Sequence, residues 1–317
     1  MTKKLLIAGT AFVITGAVIC AGAGAAFGFD FSKLDTANSV TNTYPVSDDF
    51  SSISIKADTD DVIFVPSKDG KCSVVCVEDS ERLHDVRVEN DTLLIDQKDE
   101  NKISWHFMSV GTHFKTTVYL PESQYKELSV ISDTGDLDVP KEFSFDKVKA
   151  ELDTGDVSWY APVKESISIR TDTGSITASD ISAESMEMKS DTGNIKLTNI
   201  QLTEGFRSEE DTGDVIIDGM TCKDFYSKGN TGDLKMTKVE VSQKMDLDRD
   251  TGDIDLEDCD ADEIFIVTDT GDVKGTLLSE KVFITKTDTG DVNVPNSISG
   301  GRCEITTDTG DINISLR

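Results

Sequence analysis

The sequence predicts an all-β fold, a parallel β-solenoid or β-helix, preceded by one N-terminal transmembrane helix. Three observations predict it: a four-residue motif returns at a near-constant interval, apolar residues alternate with polar ones on both sides of each copy, and a long uncharged stretch opens the chain.

In chain order, the first element is the uncharged run Leu5 to Phe29, preceded by Lys3 and Lys4. About 20 apolar residues span a bilayer as a helix, and lysines ahead of the run keep that side cytoplasmic. Residues 1–30 therefore read as a single-pass anchor that leaves the rest of the chain extracytoplasmic. Ala21-Gly22-Ala23 and Ala23-Gly24-Ala25 resemble cleavage sites, so a removed signal peptide and secretion are the alternative. Cys20 follows Val18-Ile19, where lipidation would need a small residue. Residues 31–45 read as a linker.

Residues 46–130 read as a degenerate N-terminal β region that closes one end of the solenoid. Asp58-Thr59-Asp60-Asp61 is a worn copy of the motif, with Asp60 in place of glycine, and Ile53, Ile55, Val62 and Phe64 flank it at the repeat's own offsets. The 75-residue step from Asp58 to Asp133 contains strand-like pieces and the non-repeating Trp105-His106-Phe107. Full coils and a hairpin cap are both compatible with them.

Residues 131–317 carry the repeat. Asp-Thr-Gly-Asp begins at Asp133, Asp153, Asp172, Asp191, Asp211, Asn230, Asp250, Asp269, Asp288 and Asp308, in steps of 19 or 20 residues. Ser175 and Asn194 replace the fourth residue of two copies, and Asn230 replaces the first of another. Four and six residues after the first Asp stand pairs such as Ile195 and Leu197, or Val292 and Val294. Three and five before it stand pairs such as Met186 and Met188. Nine after it comes a third apolar residue: Ile181, Ile200, Met220, Val239, Cys259, Leu278. A spacing of two is a strand with one buried face. One such unit cannot bury its own face, but stacked units can, at about 4.8 Å per coil. A β-propeller would need about 40–45 residues per blade, and the likeness of successive units argues against it. The chain stops half a coil after Asp308, which predicts an open edge there that is either blunted by charge or used for association.

Composition limits function. The chain carries 60 acidic and 31 basic residues, a net charge of −29, which excludes a nucleic-acid-binding domain, since that needs basic surface. The six cysteines suggest no disulfide framework and read as small buried apolar side chains.

The turns have a structural reading. Gly135, Gly155, Gly174, Gly193, Gly213, Gly232, Gly252, Gly271, Gly290 and Gly310 take the positive φ other residues resist. The first Asp accepts the backbone N–H two residues on, as Asn230 also can. A second reading is Ca²⁺ held by the stacked fourth acids Asp136, Asp156, Asp214, Asp233, Asp253, Asp272, Asp291 and Asp311, although the Gly-rich nonapeptide of calcium β-rolls is absent. Asp-Thr-Gly is also the tripeptide of aspartic proteases, but that chemistry uses one carboxylate pair in a cleft, not ten turns. His84, His106 and His113 show no metal-ligand spacing. Outward on neighbouring coils stand Phe265, Val267 and Ile284, with Tyr226 two coils earlier. Together they predict an apolar patch for a partner.

The run GFDFSKLDT after the apolar segment, then FSSISIKADTDDVIFVP, then the ladder of D-T-G-D coils, resembles the bacterial putative-adhesin β-strand-repeat family, a domain of unknown function common in Firmicutes that includes Lia-type cell-envelope proteins. The resemblance spans nearly the whole chain. It implies a β-helix-like fold, a membrane anchor, an extracytoplasmic place and no established enzyme activity, and it carries over no catalytic residue. The expected function is a non-enzymatic, envelope-associated binding or structural module meeting a cell-wall polymer or envelope protein. A carbohydrate-active β-helix enzyme or an envelope-stress signalling component is the alternative.

Overall fold

The structure, a computed structural model, describes residues 39–80, 82–97 and 114–317. The expected membrane segment, Cys20, Trp105, His106, Phe107 and His113 lie outside the described residues.

The N-terminal region contributes β1 (Ser39–Val46), β2 (Ser52–Ala57), β3 (Asp60–Pro66), β4 (Cys72–Asp79), β5 (His84–Glu89), β6 (Thr92–Gln97) and β7 (Phe114–Leu120). The repeats contribute β8 (Gln124–Thr134), β9 (Leu137–Val139), β10 (Ser144–Thr154), β11 (Val157–Trp159), β12 (Val163–Thr173), β13 (Ile176–Ala183), β14 (Ser185–Thr192), β15 (Ile195–Leu202), β16 (Gly205–Thr212), β17 (Val215–Cys222), β18 (Asp224–Thr231), β19 (Leu234–Thr251), β20 (Ile254–Thr270), β21 (Val273–Leu277), β22 (Lys281–Thr289), β23 (Val292–Asn293), β24 (Gly301–Thr309) and β25 (Ile312–Leu316). All belong to one continuous sheet wound into a parallel solenoid.

One coil shows why the sequence winds this way. In β14, Met186, Met188 and Ser190 point inward; in β15, Ile195, Leu197, Ile200 and Leu202 do. Between the strands the chain turns at Gly193-Asn194, and within β15 it bends at Asn199, which takes a φ of 54°. That second corner recurs at Asp180, Gly219, Lys238 and Asp258, all with positive φ, a conformation for which Asp, Asn and Gly are suited. Columns form because neighbouring coils pair in register: Ile195 lies between Ile176 and Val215. The interior is thus a stack of apolar layers. Leu278 departs from the expected column. The coil is shorter there, Leu277 pairs with Cys259 and turns inward, and Leu278 is left 40% exposed.

The N-terminal end is closed by a hairpin-rich cap. β2 and β3 form a first coil on β8 and β9. Outside it lie β6 on β2 and β7 on β3, then β5 antiparallel to β6 and β4 antiparallel to β7. β1 adds antiparallel to β4, so part of the stretch read as a linker is strand.

The C-terminal end does not stack in chain order. β24 pairs with β20 on one side and with β22 on the other. The last coil, β24–β25, is therefore inserted beneath the coil that precedes it in sequence, and β22–β23 forms the terminal layer. The inward residues explain the exchange. β24–β25 brings Cys303, Ile305, Ile312 and Ile314 to burial, whereas the inward side of β22 offers Phe283, Thr285, Thr287 and a buried Lys281 paired with Asp260. The more apolar coil takes the interior. The open edge is thus at 281–294, not after Asp308, and Val292, expected inside, is 45% exposed.

Candidate functional site

The ten turns form one continuous column. Gly193 has a φ of 146°, and a Cβ there would lie 2.0 Å from the carbonyl oxygen of Gly174, so both the backbone angle and the closeness of the next coil demand glycine. The same contact passes from Asp60, which occupies the glycine position of the worn copy, through Gly135 to Gly271 and then to Gly310 and Gly290.

The side chain that orders each turn is the fourth residue, not the first. Asp136 Oδ1 accepts the backbone N–H of Asp156 at 2.8 Å, Asp214 that of Asp233 at 2.9 Å, and Asp253 that of Asp272 at 2.9 Å. Asn194 Oδ1 does the same for Asp214, and Ser175 Oγ for Asn194. Every variant at this position keeps an oxygen acceptor. The ladder starts at Asp61 and ends Asp272, Asp311, Asp291, in stacking order. The expected Asx-turn is thereby replaced by a bond between coils. The eight acids considered for Ca²⁺ do stack, and one oxygen of each of them but the terminal Asp291 is committed to the backbone. At the first position, Asn230 donates to Asp211 at 3.2 Å, easing repulsion along that column.

The outward faces of the long strands are laced by ion pairs between and along coils: Arg170 with Asp172 and Asp191, Lys189 with Asp191 and Glu209, Lys228 with Asp248. Such exposed pairs add little stability each, but they leave a lateral surface whose charges are already partnered. The expected apolar patch is divided by the unexpected stacking order, because Glu304 stands between Phe265 and Ile284. Phe265 lies under Lys244 Nζ at 4.8 Å and Arg302 Cζ at 5.3 Å, and Tyr226 under Arg207 at 4.2 Å. Val267 is exposed. Ile284 instead belongs to the terminal coil, where Val282, Val292 and Ile298 are also exposed, Ile298 to 94%.

Two buried polar clusters were missed by reading the sequence as repeats. The first spans three coils: Arg249 Nη2 meets Glu210 Oε1 at 2.5 Å and donates to Ser227 Oγ at 2.9 Å, while Ser227 and Ser208 share a bond of 2.7 Å. Gly229, on the coil between, makes the room, since a Cβ there would lie 2.5 Å from both Arg249 Nη1 and Glu210 Oε1. Burial pushes the Glu210 carboxyl up to about 7 against the pull of Arg249, and burial lowers the Arg249 guanidinium despite Glu210. The signal was legible in principle: Glu210, Gly229 and Arg249 all occupy the inward position just before the motif, where the repeat elsewhere has Thr, Ser or an apolar residue.

The second cluster lies in the cap. His84 Nδ1 is 2.6 Å from Glu78 Oε2 and His84 Nε2 is 2.8 Å from Asp60 Oδ2, with all three side chains at most 2% exposed. Glu78 Oε1 accepts from Tyr44 Oη at 2.6 Å and from Asn42 Nδ2 at 2.7 Å, and Oε2 also accepts the His84 backbone N–H at 2.6 Å. Thr116 Oγ1 donates to Asp60 Oδ2 at 2.9 Å, is 3.4 Å from His84 Nε2, and is 3.7 Å from Cys76 Sγ. Burial alone would lower the imidazole pKa, but hydrogen bonds with Asp60 and Cys76 outweigh it and push it up to about 11. Burial would likewise raise Glu78, but the bonds from Tyr44, Asn42 and His84 hold it below its usual range. Spacing in sequence could not reveal this site, because its members come from the worn motif and four different strands of the cap, β1, β4, β5 and β7. Cys76, read as a small apolar side chain, is part of it; Cys72, Cys222, Cys259 and Cys303 are buried free thiols.

Comparison with known proteins gives one family match. A family model described as Toastrack DUF4097 matches residues 50–207 and 203–317. No curated protein matches the chain. Among solved structures, a putative adhesin from Parabacteroides distasonis is 11% identical with a TM-score of 0.46, covering 88% of this chain and 98% of its own. A putative lipid binding protein from the same organism is 15% identical with a TM-score of 0.41, covering 88% and 98%. A putative adhesin from Bacteroides fragilis is 14% identical with a TM-score of 0.38, covering 89% and 99%.

Proposed function

The chain belongs to the Toastrack DUF4097 family, and from that premise we propose that it is a non-enzymatic binding module, held outside the cell membrane by its N-terminal segment, that engages an envelope protein through its open C-terminal coil. Family membership agrees with the resemblance drawn from the D-T-G-D ladder and supports a binding role.

The observation that carries this reading is the asymmetry of the two ends. The N-terminal end is closed by antiparallel strands. At the other end, among the described residues, β22 pairs only with β24 and β23 only with β25. Its outer edge therefore offers backbone N–H and C=O groups to a further strand, the mode by which extended segments add to a sheet. Beside that edge stand Val282, Ile284, Val292 and Ile298, all exposed. Those side chains supply apolar contact where the lateral surface offers charges already paired to one another.

The test is co-sedimentation with isolated bacterial cell envelopes, before and after protease treatment. Residues 31–317, which lack the proposed membrane segment, should sediment with intact envelopes and lose at least tenfold of their binding when envelope proteins are digested. Ile284→Lys with Ile298→Lys in the same segment should bind at least tenfold more weakly at unchanged circular dichroism. A segment that stays in solution, binding that survives protease, or a double variant that binds as the parent segment does would each contradict the proposal.

A further inference from the structure

A row of aromatic rings runs through the core and surfaces in the cap. Trp159 of β11, Phe145 of β10, Tyr125 of β8 and Phe50, between β1 and β2, follow one another with centroids 5.6, 5.8 and 6.0 Å apart. Trp159 and Phe145 are fully buried and Tyr125 nearly so. Phe50, the last ring, is half-buried and lies almost parallel to Tyr125, at 18°. A cavity of about 490 Å³ is lined by these last two rings, within the roughly 300–1,000 Å³ of small-molecule sites.

The walls of the cavity are already set. Tyr125 Oη donates to the Pro121 carbonyl at 2.9 Å, and Gln124 Nε2 donates to Asp146 at 2.5 Å. The backbone N–H groups of Lys126 and Ser67 donate to Ser51 and Leu120, both at 2.7 Å, which fixes the segments on either side. Around the rings the lining is polar: Asp48 and Asp49 ahead of Phe50, Lys71 just before β4, Gln124 and three serines. On the long strands the charges are laced into pairs. Here, among the described residues, Asp48, Asp49 and Lys71 make no ion pair.

This two-part lining selects a class of ligand. An acyl chain or a plain aromatic ring would use the aromatic rings and leave the carboxylates, amide and hydroxyls desolvated without partners, which is costly. A sugar ring has both parts: a flat C–H face for the exposed ring, and a rim of hydroxyls that each donate and accept. Two carboxylates against one ammonium leave the cavity a net negative charge, on a chain of net charge −29. That disfavours an acidic sugar and suits a neutral or basic one.

We infer that this cavity binds a neutral or amino hexose, its ring laid on Phe50 and Tyr125 and its hydroxyl rim held by Asp48, Asp49, Lys71 and Gln124. The site lies in the cap, at the opposite end of the solenoid from the open coil, so it is a second function beside the protein-binding edge. A ligand of about a dozen heavy atoms binds here at roughly millimolar Kd. That is too weak to hold the chain on an envelope, so the two readings fail separately.

The experiment is saturation-transfer NMR with titration, on the full-length protein in a detergent without a sugar headgroup. The probes are glucose, glucosamine, N,N′-diacetylchitobiose and glucuronate. The first three should saturate one site, with transfer strongest to the ring C–H protons, and glucuronate should bind ~10-fold more weakly. The disaccharide distinguishes the source: binding ~10-fold tighter than either monosaccharide assigns the site to a glycan end, and equal binding assigns it to a free sugar. Phe50→Ala should weaken binding ~5–10-fold. Asp48→Ala with Asp49→Ala, both exposed and unpaired, should weaken it ~10-fold at unchanged circular dichroism. Val267→Ser, on the lateral face, should change nothing. No saturation of any of the three sugars, glucuronate binding as tightly as glucose, or native affinity in either Phe50→Ala or the double aspartate variant would each overturn the inference.

Discussion

At the scale of single residues, the fourth position of the motif is defined by accepting a hydrogen bond from the next coil. Asp233 Oδ1 accepts the backbone N–H of Asp253 at 2.9 Å, and Asn194 shows that an amide oxygen serves equally. Asp233→Asn should therefore leave chemical-denaturant stability within about 0.5 kcal/mol of native, whereas Asp233→Ala should cost ~1–2 kcal/mol by orphaning that N–H; equal losses would show that charge is what matters. The substitutions at Ser175 and Asn194 were visible in the sequence, but their common acceptor role was not, because the donor lies on another coil. Glu210 and Arg249 raise a different question. Removing either alone leaves a buried charge without its partner, at ~3–5 kcal/mol, while replacing both with the Thr of neighbouring coils should restore most of that loss. Because burial lifts Glu210 from 4.5 to about 7, its protonated form favours the folded state. That contribution is full below 4.5 and is lost as pH rises through about 7. Unfolding followed from pH 4.5 to 8 should show a larger fall in stability in the native protein than in the Glu210→Thr, Arg249→Thr double variant, which keeps only the contribution of His84; parallel curves would mean that Glu210 does not titrate there.

At the scale of elements, the strands and turns of the repeat were legible because each coil repeats the same alternation, and a period of two fixes which side chains go in. What was not legible was stacking order. β24 and β22 carry the same motif, and either could have followed β20. Two glycines mark the choice in hindsight. A Cβ on Gly300 would lie 1.8 Å from the Glu280 carbonyl oxygen, and one on Gly301 would lie 1.8 Å from that of Asp262. The start of the last coil is thus wedged between backbone on both sides, and only glycine passes. Gly300 also holds a φ of 102°. Gly300→Ala should expel the coil or strain it, lowering stability by at least ~2 kcal/mol and opening 301–317 to proteolysis. A variant as protease-resistant as the native protein would refute the wedge. The cap was legible only as a departure from the repeat: Asp60 and the gap before Asp133 showed that something replaced coils, but antiparallel pairing across β4, β5 and β7 leaves no periodic trace.

At the scale of the whole molecule, each coil touches only its neighbours, so stability is a sum of coil and interface terms, and the ends govern fraying. One end is sealed by the cap and its buried polar cluster. The other presents a coil held from one side, with exposed apolar residues and an unpaired edge, and the proposed binding role rests on that end. The order of the last layers is therefore the central claim. Native-state hydrogen exchange of the amides from 281 to 317 tests it most directly. With β24–β25 inserted, amides of β24, which lies between β20 and β22, should exchange far more slowly than those of β22–β23, although they come later in the chain. Strong protection across β22–β23 with fast exchange in β24–β25 would mean that the coils stack in chain order, and would move the open end, and the binding surface with it, to the last residues of the protein.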